Sequence, residues 1–116
     1  MTDNTAYKIS ILGTPYTVRL RGSEDEKLEH SDGYCDWTTK TIVVRSDIPE
    51  LPETVGNLSI YKQKVLRHEI VHAFLFESGL TENSYWAVNE ELVDWIAMQF
   101  DKIDKAFHQA DTIFGD

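Results

Sequence analysis

Residues 65–80 read VLRHEIVHAFLFESGL, an apolar run in which His68, Glu69 and His72 stand close together. Burying three such groups without partners is costly, so either they are satisfied core histidines with an incidental glutamate, or they hold something. Four residues separate the two histidines, which on a helix sets them one turn apart on one face. Two imidazoles in that relation can each give a ring nitrogen to one divalent metal ion. Glu69 is turned by about 100° around the helix and can reach a water on the open side of that metal. A catalytic zinc site takes three protein ligands and one exchangeable water, and a carboxylate beside it serves as base. The string HEIVH therefore offers two ligands and the base of a hydrolytic Zn²⁺ site, with one ion expected per chain.

The third ligand must come from elsewhere. Position 78, six beyond His72, is a serine, and Leu75 stands where a glycine would be needed, so the extended form that closes the site within one motif is absent. His30 lies in an acidic stretch and His108 near the far end of the chain; both read as surface histidines. The segment WAVNEELVDWIA is the better source. Two antiparallel helices joined by a brief turn would return Glu90 beside His68 and His72. Glu90 and Asp94 are four apart and share a face, whereas Glu91 is turned away by about 100°. Glu90 as ligand and Asp94 as the carboxylate that holds a ligand imidazole in its tautomer fit both needs of such a site. Glu91 is the rival ligand, and a solvent-facing charge is its simpler role. Tyr85 and Tyr34 are candidates for stabilising an oxyanion, although a packed tyrosine is the commoner fate.

The elements that must position these residues come in the order sheet, then helices. YKISILG alternates, as does YTVRLR after Gly13-Thr14-Pro15, which predicts a hairpin. Residues 22–33, GSEDEKLEHSDG, are acidic and bracketed by glycines and read as a solvated loop. Residues 34–45, YCDWTTKTIVVR, read as strand, or as two strands with a turn near Thr38-Thr39-Lys40. Pro49 and Pro52 break regular structure. A helix is expected over 59–78, ended by Gly79 in the left-handed region. A second is expected over 84–110, with Leu92, Val93, Ile96, Ala97, Phe100, Ile103 and Phe107 as its core-facing stripe. The fold class is α+β, a small antiparallel sheet of three or four strands followed by two core helices.

At 116 residues the chain reads as one domain, able to bury one modest core. Its net charge of −9 argues against a nucleic-acid partner, since such surfaces carry clustered positive charge. Lys62, Lys64 and Arg67 read as a solvated helix face. No apolar stretch is long enough for a membrane span, and the first twenty residues show no basic region followed by an apolar run. Cys35 is the only cysteine, which leaves no internal disulfide and no cysteine-based zinc knuckle; it reads as a strand residue. The cytoplasm is the expected compartment.

HEIVHAF followed by NEELVD resembles the gluzincin metallopeptidases, and is most similar to their small ImmA/IrrE-like and phage-associated minimal members. These place an antiparallel sheet before the HExxH helix and end on a Glu-x-x-x-(Asn/Asp)-x-x-Ala segment, here Glu90, Asp94 and Ala97. The resemblance covers residues 34–100. It implies a zincin-like domain and a metallopeptidase acting on a protein or peptide substrate, which could be a separate regulator. It also implies that the strand before the helix pairs with an extended substrate; that strand would be Thr41, Ile42, Val43, Val44 and Arg45. The alternative is a zincin scaffold without catalysis that works by docking another protein, since a motif match does not establish activity.

Overall fold

The computed structural model describes residues 6–48 and 56–114; Pro49 and Pro52, expected to break regular structure, lie outside the described residues. The fold is α+β. Strands β1 (Ala6–Ile11), β2 (Thr14–Arg21), β3 (Gly33–Asp36) and β4 (Thr41–Arg45) are followed by helices α1 (Leu58–Glu77), α2 (Leu80–Asn83) and α3 (Glu90–Asp111), with a 3₁₀ turn, Tyr85–Val88, between α2 and α3. Among the described residues, no helix is long and apolar enough to cross a membrane.

The expected hairpin joins β1 to β2, with Ile11 opposite Thr14. Leu12 and Gly13 both take positive φ, 50° and 86°, as a two-residue turn matching the twist of its strands requires. A second hairpin joins β3 to β4, with Asp36 opposite Thr41. The sheet is nevertheless mixed rather than antiparallel. Its order is β1-β2-β4-β3, and β4 runs parallel to β2 from Thr17–Thr41 to Arg21–Arg45. The cause lies in the connection over 22–32. It carries the chain past the place β4 will occupy, so that β3 forms the far edge and β4 returns into the gap. That crossover is less solvated than its composition suggests, because Leu28 within it is buried.

Helix α1 lies between two partners, which explains its apolar character on more than one face. On one side Ala73, Leu66 and Ile70 pack with Ile11, Tyr16, Val18, Ile42 and Cys35 of the sheet. On the other, Leu75 and Val71 meet Ala87, Val93 and Leu80. The two ends of the helix are tied to the sheet side by tyrosine–carboxylate hydrogen bonds. Tyr16 donates to Glu77 at 2.6 Å, which also takes Lys40 Nζ at 2.7 Å, and Tyr61 donates to Asp32 at 2.5 Å. The Asn57 side chain caps the start of α1 by accepting from the Ile60 N–H, and Gly79 at φ 81° ends it as expected.

The second long helix begins six residues later than its apolar periodicity predicts. Ser84 and Asn89 both hold extended backbone, which interrupts helical bonding, and the Asn89 side chain accepts from the Leu92 N–H at 2.8 Å. This N-cap restarts the chain as α3 with Glu90 as its first helical residue. The expected stripe is core-facing only at its start. Val93 and Ala97 are buried, whereas Phe100 and Phe107 are exposed.

Candidate metal centre

The middle of α1 presents His68 and His72 side by side, their ring centroids 4.9 Å apart. The Asn89 cap decides what meets them, since it fixes Glu90 in the opening turn of α3. Glu90 Oε1 lies 2.7 Å from His72 Nε2, and Oε2 lies 3.5 Å from His68 Nε2. One donor atom from each of the three residues falls within 4.8 Å of the others. A metal bonded to nitrogen and oxygen at about 2.0–2.2 Å separates tetrahedral donors by about 3.3 Å, a value these contacts bracket. Two neutral imidazoles and a carboxylate form a donor set suited to zinc and to other divalent transition metals. His68, His72 and Glu90 thus form a possible metal-binding triad. Both Glu90 and Glu91 are exposed, and among the described residues the carboxylate that meets both imidazoles is Glu90.

Asp94, one turn beyond Glu90, places Oδ1 3.2 Å from His68 Nδ1 and Oδ2 3.8 Å from Lys64 Nζ. A proton on Nδ1 is thereby directed to Asp94, which leaves Nε2 as the lone-pair nitrogen facing Glu90. His72 is tuned by its surroundings. Burial pushes its pKa below the ordinary histidine value, against the pull of Glu90, so the neutral, ligating form prevails near neutral pH.

Glu69 points into the helix–sheet side of the same region and is only 9% exposed. Its pKa is pushed up to about 7, with burial the largest cause, His68 opposing and Glu90 adding. A cleft of about 240 Å³ brings Glu69 together with His68, Glu90, Asp94, Lys64 and Tyr61. Gly33 forms part of its wall. A Cβ there would stand 2.6 Å from Val65 Cγ1, 2.9 Å from the Val43 carbonyl oxygen and 3.6 Å from Glu69 Cγ. The glycine is what lets β3 approach α1 this closely.

Other expected site residues are elsewhere. Tyr34 stands on the sheet face away from α1, where it donates to Asp25 at 2.6 Å, and Tyr85 is 96% exposed; neither lines the cleft. The tyrosine that does is Tyr61. The signal for it was its position seven residues before His68, two turns along the same helix face; Lys64 lies on that face as well. The hydrogen bond to Asp32, with burial, pushes the Tyr61 pKa up to about 12, which keeps its hydroxyl protonated as a donor. His30 and His108 have exposed side chains.

Thr41–Arg45 cannot pair with an added strand. β4 is hydrogen-bonded to β2 on one side and β3 on the other, so the backbone groups of Thr41, Ile42, Val43, Val44 and Arg45 serve the sheet itself. The edge beside the cleft is β3. Arg45 N–H donates to the Asp32 carbonyl, and the antiparallel alternation then turns the backbone of Gly33 and Cys35 outward. Ser31 accepts from the Gly33 N–H and donates to its carbonyl, which leaves Cys35 as the open pairing position. The Cys35 thiol has its pKa pushed up to about 12 by burial and then by Glu69, so it is a packed thiol rather than a nucleophile. Just past the edge, Trp37 stacks on Phe76 at 6.0 Å, and Phe76 lies 6.4 Å from His72, forming an aromatic ledge next to the triad.

Comparison of the chain with family models, with curated proteins and with solved structures returns no match.

Proposed function

We propose that this chain is a zinc metallopeptidase of the gluzincin type, hydrolysing a peptide bond in a narrow, intracellular protein substrate. The observation that carries this reading is the convergence of His68, His72 and Glu90 at a cleft lined by two of them, His68 and Glu90, together with the buried Glu69. When bound, Zn²⁺ supplies Lewis acidity that lowers the pKa of a water and polarises a carbonyl. Asp94 holds His68 in the ligating tautomer. Glu69, buried beside the triad, takes a proton from the attacking water and passes it to the amide nitrogen as the C–N bond breaks. The products are a carboxylate and an amine. Lys64 is the cleft donor placed to favour negative charge on the former carbonyl oxygen, since the Tyr61 hydroxyl already donates its proton to Asp32. An extended substrate docks against the β3 edge at Cys35, and the Trp37–Phe76 ledge receives an apolar side chain beside the scissile bond.

A structural zinc site is closed by four protein ligands, and among the described residues three converge here, which favours catalysis over a scaffold role. The test is metal content of protein purified without chelator or His-tag, beside Glu90→Ala, followed by trapping of substrate with Glu69→Gln. The reading expects close to one zinc per chain, a large loss in Glu90→Ala, and retained zinc without cleavage in Glu69→Gln. A wild type that takes up no metal from neutral zinc solution refutes it.

A further inference from the structure

Half of α3 has no partner among the described residues. Along it Val93, Ile96, Phe100, Ile103, Phe107 and Ala110 alternate in steps of three and four, the spacing of a helix-pairing seam. Only the start of the seam is covered. Val93 packs with Leu75 and Ala87, whereas Phe100 is 59% and Phe107 64% exposed. Where α3 crosses α1, Ile70, Phe74, Trp86, Ile96 and Phe100 wall a groove of about 500 Å³, and the exposed part of the seam begins at Phe100. It uses a different face of α1 from the His68–His72 face. A contiguous apolar surface of this kind marks a site of association.

We infer that this groove and the seam running out of it dock a basic amphipathic helix of another protein. The alternating apolar positions call for a helical occupant that sets its own apolar face into the groove. The charges call for a basic one. At 100° per residue, Asp104 and Asp111 border the seam, roughly 70° from its midline, while Lys102 and Lys105 are turned to the far side of α3. Asp101 is already matched by Arg67 at 2.7 Å. Asp104 faces only His108, at 3.4 Å, and Asp111 meets no cation among the described residues. A second copy of this chain carries a net charge of −9, and the base it would bring through this groove, Arg67, is already paired with its own Asp101. A helix with lysine or arginine flanking its apolar stripe meets both carboxylates. Neither residue belongs to the proposed metal site, so this inference stands or falls apart from that function.

The probe is a synthetic amphipathic peptide with leucine at the seam positions and lysine on both flanks, with a control in which every lysine is glutamate. Binding is read by fluorescence anisotropy against the whole chain, and the oligomeric state by sedimentation velocity. The lysine peptide is expected to bind at least about tenfold more tightly than the glutamate peptide. Asp104→Lys/Asp111→Lys should lower that preference by roughly three- to tenfold, and Phe107→Ser should weaken the lysine peptide. These positions are exposed, and unchanged circular dichroism of each variant confirms that the fold is retained. Equal binding of the two peptides, no binding of either, or insensitivity to the charge reversal overturns the inference. So does a wild-type dimer that Phe107→Ser converts to monomer, since the seam is then covered by a second copy.

Discussion

Glu69→Gln makes a measurable statement about stability before any substrate is known. In the metal-free fold the Glu69 pKa stands at about 7 against an ordinary 4.5, so the folded chain holds this proton more tightly than the unfolded one. By linkage, the associated stability is fully present below pH 4.5 and is lost as pH rises towards 7. At about 1.36 kcal/mol per pKa unit, the shift corresponds to a loss on the order of 3 kcal/mol. Glutamine cannot ionise and escapes this loss. The perturbations of His72 have the opposite sign, but they arise from burial, Glu90 and His68; they are common to both proteins and cancel in the difference. Urea unfolding in the presence of a chelator, at steps from pH 4 to 8, should show the two proteins converging at the acid end. Above neutrality Glu69→Gln should be the more stable by on the order of 3 kcal/mol. Parallel profiles across that range would refute the claim that burial holds this carboxyl partly protonated in the metal-free fold.

Asp94→Asn keeps the size of the His68 partner and removes its charge, so metal affinity in a chelator competition should fall by about 10–100-fold; an unchanged affinity removes Asp94 from its positioning role. Asn89→Ala should cost about 1 kcal/mol through loss of the α3 cap. It should also weaken metal binding, because Glu90 is no longer held in the first helical turn, a coupling that a zinc titration of the folded variant reads directly. Gly33→Ala places a methyl against Val65 and the Val43 backbone. The backbone cannot yield, so overpacking should destabilise the fold by about 1–3 kcal/mol in denaturant titration; a neutral effect would mean that β3 and α1 are less closely apposed.

Much of the site is local in the chain, and local features are readable. The pairing of His68 with His72 and the place of Glu69 beside them follow from helical periodicity alone, and so does the stop at Gly79, whose φ of 81° suits a residue without Cβ. The N-cap was written there too. Asn89 ahead of two glutamates and an apolar run is a helix start, but the longer apolar periodicity extending back to residue 84 competes with it and hides the break. Tyr61 was equally accessible, two turns before His68.

What only the tertiary structure decided concerns separation and direction. Period and propensity say that Thr41–Arg45 is a strand, but they carry no information on its neighbours. The crossover over 22–32 places it inside the sheet and leaves β3 as the edge. Glu90 and Glu91 differ by one residue, and which one faces His72 depends on the angle at which the capped α3 crosses α1. The seam of α3 shows the same division from the other side. Its spacing declares that Phe100 and Phe107 seek an apolar partner, but the crossing of the two helices leaves them uncovered. Apolar periodicity records that a face will be buried; only the packing of whole elements determines against what.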